Sequence, residues 1–193
     1  MQKNVPGTVL PFESDSSMFA RFRPLIKATD GLTLSQVCSI TGLEPSTVQN
    51  WVKRGFVSRP IEKKYRERQL ARILLISSLR ECMRIERIGE LMAIINGDAN
   101  DTGDDIISEE QMYDYLCEII GKAGESTPQI GEIPLMVAEI TKDYAPPTKT
   151  AAERLNTALN IMVLAYTAGK YKQQADSLFT QIKERNIYGK EQD

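Results

Sequence analysis

The chain of 193 residues contains no histidine, only three cysteines and one tryptophan. Without histidine, the sequence excludes Ser-His-Asp triads, Cys-His catalytic pairs and the usual zinc sites. No apolar run approaches the roughly 20 residues that a transmembrane helix requires. The first residues, with Pro6, Pro11, Glu13 and Asp15, lack the basic start and apolar stretch of a signal peptide. Because no carboxylate pair or nucleophile-base spacing stands out either, we expect a non-enzymatic protein without cofactor or metal, not associated with a membrane.

The three cysteines are odd in number and widely spaced, at Cys38, Cys82 and Cys117. This argues against a disulfide framework and for a reducing compartment, so we expect a cytoplasmic protein. Cys38 and Cys82 fall on positions predicted to face the core. We therefore interpret them as small buried hydrophobes in preference to redox sensors.

Charge is divided unevenly along the chain, although the net charge is only −2. Residues 1–95 carry 15 Lys/Arg and 9 Asp/Glu, whereas residues 96–193 carry 9 and 17. Within the basic half, most of the positive charge lies in residues 53–72, at Lys53, Arg54, Arg59, Lys63, Lys64, Arg66, Arg68 and Arg72. Such asymmetry suggests a nucleic-acid-binding half and a separate acidic half.

Hydrophobic spacing predicts a mainly α-helical protein. Helices are expected near residues 34–41, 45–53, 66–83, 85–95, 108–121, 134–143, 150–168 and 171–186. Residues 17–28 also have helical spacing, although Pro24 disfavours a helix there. No internal repeat and no sustained heptad is evident.

These patterns divide the chain into four parts. Residues 1–31 form an N-terminal arm with the short helical pattern, and 32–95 the first domain. Residues 96–107 are an acidic linker, and 108–188 form a small all-helical C-terminal domain for dimerisation or effector binding.

The pair of short helices at 34–41 and 45–53 has the outline of a helix-turn-helix. On the second helix, Val48, Trp51 and Val52 form an apolar side that would pack on the first. Ser46, Gln49, Asn50 and Lys53 recur at i, i+3, i+4 and i+7 on the opposite side. These side chains suit base edges and phosphates in a major groove, so the helix is predicted to recognise DNA. The basic segment 56–66 that follows would lie over the DNA backbone as a small wing, with Arg54 and Arg59 adding positive charge.

The sequence here resembles the MerR-type winged helix-turn-helix. The resemblance lies in Leu34–Leu43 and Pro45–Trp51, followed by Gly55, Phe56, Val57, Pro60, Tyr65 and Leu70. The whole block 32–95 also resembles an uncharacterised bacterial domain-of-unknown-function family predicted to be MerR-like. The resemblance implies a winged helix-turn-helix fold and a role in transcription regulation. It also implies that Thr47 and Lys53 serve the groove helix, and that Lys63, Lys64, Tyr65 and Arg66 serve the wing.

The expected partners are double-stranded DNA and a second copy of the chain, because single helix-turn-helix units seldom bind tightly alone. The alternative is a protein-interaction module on a MerR-like scaffold, whose basic face docks an acidic partner. Gln49 and Asn50 keep this alternative open, since the family usually has Arg and Tyr at those positions.

Residues 98–109 fit the spacing of a calcium loop, with Asp98, Asn100, Thr102, Gly103 and Glu109 in place. No second loop accompanies it, and its eighth position, which is usually aliphatic, is acidic. An acidic interdomain linker is therefore the preferred interpretation.

Overall fold

The computed structural model describes residues 4–11, 17–97, 103, 105–123 and 128–188, with side chains up to residue 184. This part of the chain is mainly helical, as predicted, with eight helices and one two-stranded sheet. The helices are α1 Met18–Ala28, α2 Leu34–Thr41, α3 Pro45–Lys53, α4 Glu67–Leu79, α5 Ile85–Asn96, α6 Glu109–Lys122, α7 Ile133–Ile140 and α8 Ala151–Tyr188. Strand β1 Leu32–Thr33 pairs with the antiparallel strand β2 Lys64–Tyr65. No helix in these described ranges is both long and apolar enough to cross a membrane.

Helix α4 is the centre of the core. From Gln69 to Ile76 every residue is buried, because apolar side chains occur on almost all sides of this helix. It packs against α6 and α8, and it also contacts α1, α2 and α5. The helix is therefore shared between the N-terminal elements and the C-terminal helices, within one continuous hydrophobic core.

Helix α1 forms in spite of Pro24, which lies inside it. Its buried residues Phe19 and Phe22 pack edge to face, and Phe19 makes a similar contact with Tyr113 of α6. Asp114 of α6 accepts a hydrogen bond from the backbone N–H of Phe19 at 2.8 Å, and another from the Ser17 hydroxyl. Tertiary contacts thus outweigh the cost of proline in a helix.

The described part of the N-terminal arm, residues 4–11, lies against the core. The Tyr113 hydroxyl donates to the carbonyl of Pro6 at 2.8 Å, and the Val9 N–H donates to the carbonyl of Ile40 at 3.0 Å. Between these contacts, Gly7 adopts a φ of 74° and passes directly over the backbone of Leu74 in α4. The arm is consequently part of the folded body.

The prediction of two helices at 150–168 and 171–186 is wrong, because α8 continues through both ranges. Gly169, between the two predicted ranges, lies inside the helix at a close approach to another segment. A Cβ at this position would come within 3.1 Å of the Cβ of Glu81. The glycine therefore allows two segments to approach closely and does not end the helix.

The three cysteines have different surroundings. Cys117 is buried and Cys38 is half-buried, whereas Cys82 is exposed. The prediction that Cys82 faces the core is therefore wrong. The physical reason is that α4 ends at Leu79 and not at residue 83, so Cys82 lies in the turn that follows it.

Candidate nucleic-acid interface

Helices α2 and α3 are joined by a tight turn whose ends are fixed by local hydrogen bonds. The Thr33 hydroxyl caps α2 by accepting from the Gln36 N–H, and the Gln36 side chain accepts from the Thr33 N–H. This reciprocal capping box satisfies two donors at the start of the helix. Gly42 ends α2 with a φ of 69°, in the left-handed region that glycine adopts without strain. Pro45 occupies the first turn of α3, where its missing N–H costs nothing.

Helix α3 has two chemically distinct sides. Val48 and Trp51 are buried, and Trp51 is a core residue as its spacing predicted. On the opposite side, four of the predicted contact residues are exposed: Ser46, Gln49, Asn50 and Lys53. Thr47, beside them, is half-buried. The structure thus places hydroxyl, amide and ammonium groups together on one accessible helix surface.

The predicted basic wing is a short hairpin. Lys64 and Tyr65 pair with Thr33 and Leu32 of β1, and Ile61 and Lys64 exchange both backbone hydrogen bonds, at 2.8 and 3.0 Å. The two residues between them, Glu62 and Lys63, have φ values of 49° and 63°. Positive φ at both central positions is typical of the type I′ turn that matches the twist of a hairpin. Lys63 therefore lies at the hairpin tip, where it is exposed.

The other predicted contact residues of segment 56–66 have different environments. Arg59 is exposed, whereas Tyr65 is only 3% exposed, and burial raises the pKa of its phenol. The Lys64 ammonium donates to the carbonyl of Thr29, and Arg66 forms an exposed ion pair with Asp30 at 3.1 Å. Lys64, Tyr65 and Arg66 thus join the hairpin to the end of α1 and the body.

Arg54, also predicted to contact DNA, is engaged within the chain. Its guanidinium forms an ion pair with Glu86 of α5 and lies over the Phe56 ring, 4.8 Å from the ring centre. The hydrogen bond from Arg54 lowers the pKa of the Glu86 carboxyl. Since both groups remain exposed, this pair contributes little to stability. Its role in the structure is to connect the end of α3 to α5.

Sequence reasoning missed Gln69, which fixes the base of the hairpin segment. Its amide group donates to the carbonyls of Ser58 and Arg59 at 3.2 and 2.6 Å, and accepts from the Arg66 N–H at 2.7 Å. The residue is 6% exposed on α4. A glutamine at the third position of a helix is a known capping signal, but its two bonds to residues 58 and 59 depend on tertiary structure.

Replacing Gln69 by leucine is expected to lower the free energy of unfolding by about 1–3 kcal/mol, because it leaves three part-buried backbone groups without their Gln69 partner. Faster amide hydrogen exchange should accompany this loss in residues 58–66. Urea denaturation and exchange measured by mass spectrometry check both effects. The control is Gln49→Leu on the exposed side of α3, which should change stability by no more than about 0.5 kcal/mol.

The acidic half of the chain contacts the basic half through a buried ion-pair cluster. Glu109, at the start of α6, has a fully buried side chain, with Oε1 lying 3.2 Å from Nε of Arg72 and 3.5 Å from Nε of Arg68. Arg68 also pairs with Asp105 at 3.3 Å. Desolvation raises the pKa of Glu109 to about 7, although both arginines oppose the shift. The cluster joins α4 to α6.

The calcium-loop pattern falls mainly outside the described residues, at Asp98, Asn100 and Thr102. Its described final member, Glu109, has its carboxylate committed to Arg68 and Arg72. Among the described residues, no group of three or more Cys, Asp or Glu side chains is arranged to hold a metal ion.

Comparison with known proteins gives two similarities. Residues 29–116 match the family described as a domain of unknown function (DUF1836), a range that includes the α2–α3 pair, the hairpin, α4 and α5. The chain is also 26% identical over 163 residues to "Uncharacterized protein YkrK" of Bacillus subtilis (strain 168), covering 75% of this chain and 69% of that protein. No solved structure matches. The chain is thus similar to a family and to a relative whose descriptions state no activity.

Proposed function

We propose that this protein is a sequence-specific DNA-binding protein and transcription regulator, built on a MerR-like winged helix-turn-helix. In this proposal α2 and α3 are the two helices of the motif, α3 (45–53) is the recognition helix, and segment 56–66 is the short wing. The protein acts as a homodimer on double-stranded DNA.

The single observation that carries the proposal is the division of α3 into two sides. Ser46, Gln49, Asn50 and Lys53 are exposed together, while Val48 and Trp51 between them are buried against the body. Asparagine and glutamine side chains pair bidentately with adenine, and a lysine can reach guanine or a phosphate. A helix with this exposed surface suits a major groove, whose width admits one α-helix.

The hairpin supports the proposal through its charge. Lys63 at the tip and Arg59 at the base are exposed cations on a segment held in place by β1 and by Gln69. Phosphate contacts from such residues would position the protein on the duplex without reading sequence. Arg54, Lys64 and Arg66 act as supports in this arrangement, and the buried Tyr65 belongs to the core.

Two substitutions are expected to weaken DNA binding in different ways. Asn50→Ala should cost about 1–3 kcal/mol at the preferred site and relax base preference at one position. Lys63→Ala should weaken binding to all duplexes alike, and should reduce the slope of log K against log salt by about 1. The preferred site is first obtained by sequencing genomic fragments that the protein retains at near-physiological salt. Affinities then follow from fluorescence anisotropy over a salt series.

The matched control is Lys142→Ala, which removes an exposed lysine beyond α7 and should leave affinity and salt slope unchanged. Retention of fragments sharing a motif supports sequence reading. Retention without a motif, lost steeply with salt, would contradict sequence specificity and leave an electrostatic binder. If the Asn50 and Lys63 variants bound like the parent protein, the assigned surface would be wrong.

A second candidate function is a protein-interaction module with its basic surface on an acidic partner. The observation in its favour is that several arginines of the basic cluster already pair with carboxylates of this chain, as in Arg54–Glu86, Arg66–Asp30 and Arg68–Asp105. Failure to retain DNA at any salt, together with co-purification of an acidic protein lost on Lys63→Ala, would favour this function.

A further inference from the structure

The second half of α8 extends beyond the rest of the fold. The helix has 38 residues, a length of about 57 Å at 1.5 Å per residue. Every residue from 171 to 184 is exposed, whereas residues of the first half, including Leu155, Leu159 and Met162, are buried in the core. Most helices in proteins derive their stability from packing of an amphipathic face. A long helical extension without such packing therefore points to a partner.

The exposed part of α8 has an apolar stripe with heptad spacing. Its members alternate at intervals of three and four residues: Ile161, Leu164, Ala168, Tyr171, Ala175, Leu178 and Ile182. All seven are exposed, and Tyr171, Leu178 and Ile182 have 58%, 54% and 56% of their surface accessible. Phe179, 59% exposed, widens the stripe beside Leu178. Apolar residues at this spacing over three heptads are typical of a coiled-coil seam.

This stripe is distinct from the face that α8 buries in its own chain. Met162, Val163 and Tyr166 point into the core, and they lie on the side of the helix opposite to Leu164 and Ala168. Between residues 161 and 168 the helix is therefore apolar on two sides, one of which is already covered. The uncovered side continues along the extension, where the polar side chains occupy the rest of the surface.

We infer that this stripe, the α8 seam, pairs with the α8 seam of a second copy of the chain to form a coiled-coil dimer. The large exposed side chains of the seam and Phe179 present on the order of 600 Å² per chain, at the upper end for a monomer's apolar patch. A standard protein interface buries about 800 Å² per partner, an area that the seam and its flanking residues approach.

Charge around the seam favours a second copy over a membrane surface. The positions flanking the seam are mostly neutral, at Thr167, Gln174 and Gln181 on one side and Ala165, Lys172 and Phe179 on the other. The one charged member, Lys172, is paired with Asp176 of its own helix, so two copies would not repel each other strongly. Helices that lie on membranes carry a lysine- and arginine-rich polar face. Here the four cations at 170, 172, 183 and 185 are interspersed with Asp176 and Glu184, and Lys172 is ion-paired with Asp176.

This inference rests on the proposed function, which includes a homodimer, but its test uses no DNA, so a failure of the seam is distinguished from a failure of the DNA-binding surface. Sedimentation velocity on the full chain from about 1 to 100 µM should show a species of twice the 21.7 kDa chain mass. The double variant Leu178→Lys with Ile182→Lys should sediment as a monomer over the same range. The matched control, Ser177→Lys with Thr180→Lys, adds the same charge on the other side of the extension and should remain dimeric.

Circular dichroism identifies misfolding, since both double variants alter only exposed residues and should retain the helical content of the parent. A parent protein that is monomeric at all concentrations overturns the inference. So does a dimer that the seam variant leaves intact. A monomer that floats with anionic vesicles, and loses this on seam substitution, also overturns it in favour of membrane docking.

Discussion

Replacing Arg72 by methionine is expected to lower the free energy of unfolding by about 3 kcal/mol at neutral pH or above. Arg72 is 5% exposed, and its Nε lies 3.2 Å from the fully buried carboxylate of Glu109. Methionine retains most of the apolar volume of the arginine side chain but removes its positive charge. The buried Glu109 carboxylate then has less favourable electrostatic interaction to balance its loss of hydration. We place the effect at the lower end of the range for broken buried pairs because Arg68 stays 3.5 Å from the same oxygen.

The loss caused by Arg72→Met should depend on pH. Burial already raises the pKa of Glu109 from 4.5 to about 7, so the folded state retains this proton to higher pH than the unfolded state. The stability that Glu109 contributes is therefore greatest below about pH 4.5 and is lost as the pH rises through 7. Without Arg72, the ionised Glu109 carboxylate destabilises the folded state further. The destabilisation should accordingly be larger at about pH 8 than at about pH 5.5.

Urea denaturation of parent and variant at the two pH values measures this difference. The control is Arg66→Met, which breaks the exposed pair with Asp30 and should change stability by less than about 1 kcal/mol at either pH. A loss for Arg72→Met that is the same at both pH values would show that packing, not charge, is the role of Arg72.

Replacing Gly7 by alanine is expected to lower the free energy of unfolding by about 2–4 kcal/mol, from backbone strain and overpacking together. Gly7 has a φ of 74°, and a Cβ at this position would lie 2.2 Å from the backbone oxygen of Leu74. That oxygen belongs to the central helix α4 and cannot move as a flexible side chain could. The arm would have to separate from the core, weakening the Tyr113–Pro6 hydrogen bond.

Gly55→Ala is the matched control for this prediction. Gly55 has a similar φ of 79°, but a Cβ there would have no atom within 4 Å. The two variants share the strain of a positive φ, so the difference between their urea denaturation curves measures the close approach to Leu74. Equal losses for both would mean that the arm adapts to the added methyl group at little cost.

Much of the fold could be predicted from the sequence because its signals are local. The capping residues Thr33 and Gln36, the turn glycine Gly42 and Pro45 at a helix start determine the limits of α2 and α3 within a residue. The same spacing that buries Trp51 exposes Gln49 and Asn50. The exposed side of α3 is therefore a property that the local sequence determines.

Where local sequence signals were weak or conflicting, long-range contacts decided which secondary structure formed and which of its faces was buried. Pro24 disfavours a helix, yet α1 forms because α6 packs on it and Asp114 accepts hydrogen bonds from its first turn. The heptad of α8 is obscured in the sequence because its first members overlap a second apolar face, and alanines at 168 and 175 weaken the pattern. Only the structure separates these faces, because it buries Met162, Val163 and Tyr166 and leaves Leu164 exposed.

By itself, the sequence determined the helical class, the division of α3 into a buried and an exposed side, and the concentration of positive charge near the hairpin. These follow from periodicity, capping and composition, which act over a few residues. Tertiary structure alone decided which of those charges are paired within the chain. It turns Lys64 and Arg66 towards the end of α1, pairs Arg68 and Arg72 with the acidic half, and leaves Arg59 and Lys63 exposed. The physical reason is that an ion pair or a close approach forms between segments far apart in the chain. A local sequence pattern does not indicate which distant segments come into contact.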